Sequence, residues 1–373
     1  MRHWRAMDII TYSRASAEPA PTQRRPADDR DRVAWVDTAK GICIILVVMM
    51  HSTLGIGAEM GGEGFMHWVV AFAKPFRMPD FFLVSGLFLG RVIDRDWRTY
   101  GDKRVVHFVY FYLLWLVIQS AFKYGQVAGG SPAGFLAHLA WGLVEPYSTL
   151  WFIYILAIFS VVTKLLRPVP QVVVFAAAAA LQILPIETPS FLLNEFCERW
   201  VYFLAGYMLA ERVFAFARTA GTQPSLILAA VAGWAVVNGS LALTPIAWLH
   251  ATTLAELPGV ALVLGLAGAL AIIGIAAILS RAGLDRPLRY CGRNSIAIYL
   301  AFFLPMAVTR TLLVKTGIIT DIGIAAAITT AAAVLVPLVL ERLVRNTPLF
   351  FLFRRPAAFH LRPSRRLHLQ PAE

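Results

Sequence analysis

The chain has 373 residues, of which 58% are hydrophobic and only 15% charged, and its mean hydropathy is +0.65. These values exclude an ordinary soluble globular domain and indicate an integral membrane protein. The formal net charge of +12 could suit a nucleic-acid partner, but the basic residues recur between apolar runs instead of forming one block, which argues against nucleic acid.

The apolar runs predict an all-α integral membrane protein, a polytopic bundle of about ten transmembrane helices. In chain order, the predicted helices span residues 40–54, 76–89, 105–121, 150–162, 172–184, 200–210, 226–243, 259–279, 296–313 and 322–340. Several are shorter than the roughly 20 residues that a perpendicular span needs. We therefore expect interfacial residues at their ends, or a re-entrant segment.

Lysine and arginine are distributed unevenly between the two sides of this predicted bundle. The two ends of the chain and the segments after the even-numbered helices hold 28 of the 34. This asymmetry predicts that both termini are cytoplasmic.

Residues 1–32 lack the apolar stretch of a signal peptide and are expected to form a flexible cytoplasmic tail. Residues 343–373 are expected to form a basic cytoplasmic tail, either solvated or bound to anionic lipid.

The first predicted helix carries polar residues at both ends of an apolar run. Lys40 and His51 are eleven residues apart, about three helical turns, so they share a face and lie about 16 Å apart along the axis. Asp37 lies near the same stripe and is a further candidate for a polar cavity. In a purely structural alternative, the Lys40 ammonium extends to the cytoplasmic membrane interface, and His51 marks the end of the helix. A neutral histidine at this depth can also act as a general base.

The second helix brings further charges to the end at which His51 emerges. Arg77 stands there between Pro75 and Pro79, and Asp80 directly follows Pro79. Ionisable residues at membrane depth usually face a cavity or each other. We therefore assign both to an acceptor site or cavity. Trp151, at the start of the fourth helix, is either an interfacial or packing aromatic residue or part of that cavity.

Several segments together resemble the membrane-bound acyltransferase 3 family. They are "DTAKGICIILVVMMHSTLG", "FRMPDFFLVSGLFLGRV", "LWFIYILAIFSVV", "YFLAGYMLAERV" and "LRYCGRNSIAIYLAFFLP". They occur in the family's order, and the resemblance makes residues 33–342 an acyltransferase 3 transmembrane domain. The family's signature is a basic residue, ten intervening residues and a histidine, which Lys40 and His51 match.

The resemblance implies an O-acyltransferase of the bacterial inner membrane that moves an acyl group, commonly acetyl or succinyl, to a hydroxyl of a glycan, lipid or small molecule. Acyl-CoA, such as acetyl-CoA, is the implied donor, and no permanently bound cofactor is expected. His51 is the implied catalytic base or acyl carrier. Lys40, Arg98 and Arg104 are the candidates for binding the phosphates of coenzyme A.

The sequence departs from the family pattern at two places. The usual "FHMPLFF" reads "FRMPDFF", with Arg77 and Asp80 in place of a histidine and an apolar residue. The late motif, often "IYLLH", reads "IYLAF" from Ile298 to Phe302 and has no histidine. The identity of the acceptor is therefore open, although the signature histidine is kept.

Two other functions stay open from the sequence. A transporter or flippase for a glycan or lipid precursor would also place polar residues inside a bundle, although no repeat between the halves is evident. An inactive relative acting as an interaction scaffold is the third possibility. The histidines and cysteines show no metal-ligand spacing, so no metal site is expected. The oligomeric state is not encoded in any recognisable pattern.

Overall fold

The structure is a computed structural model that describes residues 33–246 and 253–361. These residues form α-helices, short 3₁₀ turns and loops, with no strand among them. The helices are α1 (Ala34–Met60), α2 (Phe65–Ala73), α3 (Arg77–Gly86), α4 (Trp97–Gly101), α5 (His107–Phe122), α6 (Tyr124–Val127), α7 (Pro132–Trp141), α8 (Trp151–Leu165), α9 (Gln171–Ile183), α10 (Phe191–Met208), α11 (Ala210–Thr222), α12 (Pro224–Ala242), α13 (Val260–Ala282), α14 (Arg286–Arg293), α15 (Ser295–Ala301), α16 (Phe303–Thr316) and α17 (Ile322–Val344).

The all-helical membrane fold predicted from the sequence is confirmed. Within the described residues, six helical segments are long and apolar enough to cross a membrane, or eight if each of two bent pairs counts as one span. Each of the ten predicted segments coincides with helix. Two of them, α3 with 10 residues and α9 with 13, are too short to cross alone, so the count of ten is approximate.

The central helix of the bundle is α1, which packs against α3, α13, α14 and α17. It contains no proline, and its Ile44 and Val48 side chains are fully buried in the core. It ends because Gly61 adopts a left-handed conformation (φ +72°), which lets the Gly61 and Gly62 amides donate to the Gly57 carbonyl at 2.9 and 3.1 Å. Between its ends, α1 is one unbroken rod of 27 residues.

Helices α3 and α10 cross where both carry glycine. A Cβ atom on Gly86 would lie 2.2 Å from the Phe203 carbonyl oxygen, and one on Gly206 would lie 2.0 Å from the Leu83 carbonyl oxygen. Only glycine permits this backbone approach, which is the usual way that membrane helices pack closely. The crossing holds the beginning of α3, with Arg77, near the beginning of α10.

Charged contacts join residues that the sequence places on the same side of the bundle. Lys74 pairs with Glu256 at 2.6 Å, and both belong to the predicted outer side. On the other side, the buried Lys164 ammonium donates to the Ile93 and Arg95 carbonyls, so the segments after the predicted second and fourth helices touch. These pairings agree with the predicted topology.

The predicted N-terminal tail, residues 1–32, and residues 362–373 lie outside the described residues. The beginning of the predicted basic tail, in contrast, is packed on the bundle as far as Leu361. The Trp115 indole N–H donates to the Leu352 carbonyl at 3.0 Å, and the Arg355 guanidinium binds the Asp102 carboxylate at 2.7 Å. The Arg355 side chain is only 4% exposed, because Asp102 supplies it with a specific partner, whereas residues 357–361 stay exposed at the surface.

Candidate active site

A cavity of about 220 Å³ opens around His51, in the second half of α1. The helix was predicted to end at residue 54, but it continues past His51 to Met60. The walls of the cavity come from α1, α3, α8, the beginning of α10 and the bend between α15 and α16. The cavity lining contains both polar or charged side chains and aromatic rings. The lining residues are Val47, Met50, His51, Arg77, Met78, Phe81, Thr149, Trp151, Phe152, Phe191, Glu195, Arg199, Tyr299 and Phe302.

His51 is half-buried, and its ring faces Phe302 with the ring centroids 5.5 Å apart and the planes at 35°. Phe302 stands at the 52° bend between α15 and α16, at the position where the resemblance leads us to expect a histidine. Among the described residues, neither imidazole nitrogen of His51 forms a hydrogen bond. A molecule that enters the cavity can therefore meet the histidine directly.

Arg77 brings a positive charge into the same cavity. Its side chain is 9% exposed, and its Nε and Nη1 atoms are buried without a hydrogen-bond partner among the described residues. It stands at the first position of α3, directly after the turn that contains Pro75. Buried polar groups are nearly always satisfied by a partner, so two unpaired nitrogens on one guanidinium are unusual.

Glu195 and Arg199 form the ion pair that their four-residue spacing predicts. Arg199 Nε lies 2.6 Å from Glu195 Oε2, and its Nη2 lies 3.2 Å from Glu198 Oε2. The four-residue spacing by itself favours a purely structural pair. In the structure, Glu195 and Arg199 also line the cavity, a position that their spacing does not indicate.

Trp151 lies in the cavity wall, with the Arg199 guanidinium carbon 6.0 Å from its ring centroid. Beside it, the Thr149 hydroxyl is buried without a hydrogen-bond partner among the described residues. The Tyr299 hydroxyl donates to the Thr149 carbonyl at 2.5 Å and so connects α15 to the start of α8. Phe152 and Tyr299 stand within two of the segments that carry the family resemblance. Nothing in the sequence singled out their side chains or that of Thr149, because aromatic and hydroxyl residues are common in any membrane helix.

Asp80 does not line the cavity, although the sequence grouped it with Arg77. Its side chain is fully buried, and its Oδ2 accepts a hydrogen bond from the Cys43 thiol of α1 at 2.8 Å. The three-residue spacing places both residues on the first turns of α3, but Asp80 faces α1. The structure thus separates the two charges that the sequence paired.

Asp37 lies at the opposite end of α1 from the cavity. Its Oδ2 is 3.3 Å from Arg293 Nε, at the end of α14. One residue earlier on α14, a Cβ atom on Gly292 would lie 1.6 Å from the Asp37 carbonyl oxygen, so the two backbones are in contact. Lys40, half-buried, follows Asp37 by one turn of α1. Asp37 and Lys40 therefore belong to the beginning of the helix, whereas His51 lies past its middle, nine residues before Met60.

Arg98 and Arg104 stand on the segment that leads into α5. Arg98 is exposed on α4, and Arg104 is half-buried in a π-helical turn, Asp102–Val106, that joins α4 to α5. The Arg104 guanidinium interacts electrostatically with Tyr100, whose hydroxyl donates to the Ser160 carbonyl at 2.6 Å. The structure groups these two arginines with each other, whereas Lys40 lies on a different helix.

In the part of the chain that the structure describes, no cluster of three or more histidine, cysteine or acidic residues could hold a metal ion. Cys43, Cys197 and Cys291 are free thiols. The groups available for chemistry in the cavity lining are an imidazole, two guanidiniums, a carboxylate and the hydroxyls of Thr149 and Tyr299. This set can move a proton and bind an anion.

Comparison with known proteins assigns the chain to a family. The sequence model described as "Acyltransferase domain" (Acyl_transf_3) matches residues 33–342. Over 160 residues, the chain is 25% identical to the "Inner membrane protein YcfT" of Escherichia coli (strain K12), a match that covers 36% of this chain and 44% of that protein. No solved structure matches the chain significantly. Because the family model covers most of its residues, this chain belongs to the acyltransferase 3 family.

Proposed function

We propose that this acyltransferase moves an acyl group, most simply acetyl, from acyl-CoA to a hydroxyl of a glycan, glycolipid or other cell-envelope acceptor. The observation that best supports the proposal is the position of Lys40 and His51 on one unbroken helix, with His51 in a cavity and Lys40 toward the other end. The donor then binds at the Lys40 end and the acceptor at the His51 end.

We further propose that the chain lies in the bacterial inner membrane with the Lys40 end and both termini in the cytoplasm. The excess of basic residues on that side supports this orientation. The name of the E. coli relative supports the location in the inner membrane. Acyl-CoA is then a cytoplasmic substrate and not a bound cofactor. Its phosphates are negatively charged, and Lys40, Arg98 and Arg104 are the cations assigned to them.

His51 carries the proton in the proposed reaction. It removes the proton from the acceptor hydroxyl while the oxygen attacks the thioester carbonyl carbon. The C–O ester bond forms, the C–S bond breaks, and coenzyme A leaves as a thiol with the proton that His51 had taken up. In a second possible route, a nitrogen of His51 first takes the acyl group, and the hydroxyl then attacks the acyl-imidazole. Trapping of an acyl-imidazole would distinguish the second route from the first.

Replacing His51 tests the proposal. Cells that produce the wild-type protein or the His51→Ala variant are supplied with isotopically labelled acetate, and envelope molecules are analysed by mass spectrometry. We expect the variant to lose about 10²-fold or more of the labelled ester, because general-base catalysis contributes on that scale. His138→Ala is the matched control, since His138 bonds to Ser120 outside the cavity. Equal labelling in His51→Ala and wild type, at equal protein levels, would refute the role of His51.

A transporter or flippase for a glycan or lipid precursor is the second candidate function. Two candidate spans are bent, α10 with α11 by 74° and α15 with α16 by 52°, and broken helices are common at transporter sites. Only the second bend, at Phe302, reaches the cavity. Covalent transfer of the label distinguishes an enzyme from a carrier, because transport leaves the carried molecule chemically unchanged.

A further inference from the structure

We propose that the acceptor hydroxyl belongs to an acidic molecule, whose carboxylate or phosphate binds the guanidinium of Arg77 beside His51. This inference rests on the acyl transfer proposed above and narrows its acceptor to one chemical class. The same anionic chemistry could come from an acidic sugar or from a phosphate-bearing glycan or lipid. The experiment below separates these two sources.

Arg77 is a buried cation with unpaired hydrogen-bond donors among the described residues. A guanidinium has five N–H donors in a fixed plane and stays charged. In this protein the side chain is nine-tenths buried in the cavity wall, and its Nε and Nη1 atoms have no partner among the described residues. A buried unpaired charge is strongly unfavourable, whereas a bound carboxylate or phosphate oxygen would satisfy both nitrogens.

The carboxylates near Arg77 either contact another partner or lie outside the cavity. Asp80 is turned toward Cys43 and does not line the cavity. Glu195 is held by Arg199 at 2.6 Å. Glu198 is 57% exposed and contacts Arg199 from the solvent side, where its field is screened. The lining itself carries two arginines and one glutamate, so Arg77 supplies an uncompensated positive charge.

The other anionic groups of the proposed reaction are not suited to bind Arg77. The phosphates of coenzyme A are assigned to the Lys40 end of α1, about 16 Å away along the helix. The oxyanion that forms on the thioester carbonyl is short-lived and cannot satisfy Arg77 between turnovers. An acidic group on the acceptor remains throughout binding. The flat faces of Trp151 and Phe152 in the same wall suit a ring or chain that carries this group.

The first experiment identifies the acceptor and uses no variant of Arg77. The envelope molecule that gains labelled acetate in a His51-dependent manner is isolated, and its charge is determined by anion exchange and mass spectrometry. An acidic molecule supports the inference, and sensitivity of its charge to phosphatase assigns the charge to phosphate instead of carboxylate. A neutral labelled molecule overturns the inference but leaves the acyl transfer intact. Absence of any His51-dependent label overturns the proposed function itself.

The second experiment removes the negative charge from the isolated acceptor. The unacetylated molecule is methyl-esterified with trimethylsilyldiazomethane and offered, beside the untreated molecule, to the wild-type protein with labelled acetyl-CoA in lipid nanodiscs. We expect esterification to lower kcat/KM by at least tenfold, mainly through KM. Equal kcat/KM for both molecules would overturn the inference. This test remains decisive even if a variant of Arg77 fails to fold.

Variants of Arg77 then assign the effect to this residue. We expect Arg77→Gln to lose at least tenfold in kcat/KM with the untreated acceptor and to become insensitive to esterification, and Arg77→Lys to retain part of the activity. Lys74→Gln is the matched control, because Lys74 is a neighbouring cation that is exposed and paired with Glu256 outside the cavity. A loss in Arg77→Gln that is equal for both acceptors would instead indicate a role at the thioester or in folding.

Discussion

The crossing of α3 and α10 offers a test of how the cavity is held together. The perturbation is Gly206→Ala, which adds a single methyl group. That Cβ atom would lie 2.0 Å from the Leu83 carbonyl oxygen, whereas ordinary contacts are 3.4 Å or longer. Because the obstacle is backbone and not a flexible side chain, the two helices must separate by roughly 1 Å or more.

The magnitude follows from two effects of this separation. Overpacking a tight contact costs about 1 to 3 kcal/mol of stability. Arg77 and Arg199 stand six and seven residues before Leu83 and Gly206 on these helices, about 9 to 10 Å along the axes, so the separation also moves the two charges of the cavity. A displacement of about 1 Å at a reacting centre can reduce the rate by up to about 100-fold.

Fluorescence-detected size-exclusion chromatography after heating measures the stability of Gly206→Ala in detergent, and labelled transfer measures its activity. The matched control is Gly233→Ala on α12, where an added Cβ meets nothing within 4 Å. We expect Gly206→Ala to melt several degrees lower than wild type with reduced transfer, and Gly233→Ala to match or slightly exceed the wild-type stability. Equal melting of the two variants would refute the close crossing.

Three further predictions follow from single contacts. Asp102→Ala removes the carboxylate partner of Arg355. We expect limited proteolysis to cut the segment before Leu361 faster than in the wild type, and equal resistance to the protease would contradict the contact. Trp151→Ala should lower transfer more than Trp151→Phe, because an aromatic face remains in the second variant; equal losses in kcat/KM would contradict a stacking role. Lys164→Met leaves two carbonyls without their donor and should cost about 2 kcal/mol of stability by thermal melting, whereas unchanged melting would contradict the buried hydrogen bonds.

The positions of the helices are well predicted, because the length of an apolar run is read from each segment alone. The sides of the bundle are predicted by comparing the basic residues of its loops. All ten predicted segments are helical, and the first extends unbroken through Lys40 and His51. The number of true spans is less well predicted, because helices such as α3 are only 10 residues long and depend on neighbours for burial. Hydropathy also gives no sign of the bend at Phe302.

The cavity is only partly predictable from the sequence. Arg77 and Trp151 were expected near His51, and the structure places them in the same cavity. Asp80 was expected there too, but its side chain turns to Cys43, because a spacing of three residues does not fix which neighbouring helix a side chain meets. Glu195 and Arg199 were recognised as a pair, yet their place in the cavity depends on the α3 and α10 crossing, which no local pattern reveals.

The roles of Lys40, Arg98 and Arg104 in donor binding stay predictions. Arg98 and Arg104 share a segment, and this segment is fixed by Asp102, which binds the C-terminal Arg355. The sequence indicated only a basic tail, because the contact joins residues more than 250 positions apart. Long-range contacts of this kind are set by the assembled bundle and not by local composition.

Transfer of label in inside-out membrane vesicles shows whether His51 is needed to form the ester from cytoplasmic acetyl-CoA. Acetyl-CoA labelled in the acetyl group is added to the outer solution, which faces the proposed cytoplasmic side of the protein, and the vesicles are analysed for covalent ester. We expect labelled ester with the wild-type protein and His138→Ala, and none above background with His51→Ala. Label that enters the vesicles without forming an ester, or ester formed equally by His51→Ala, would contradict this expectation.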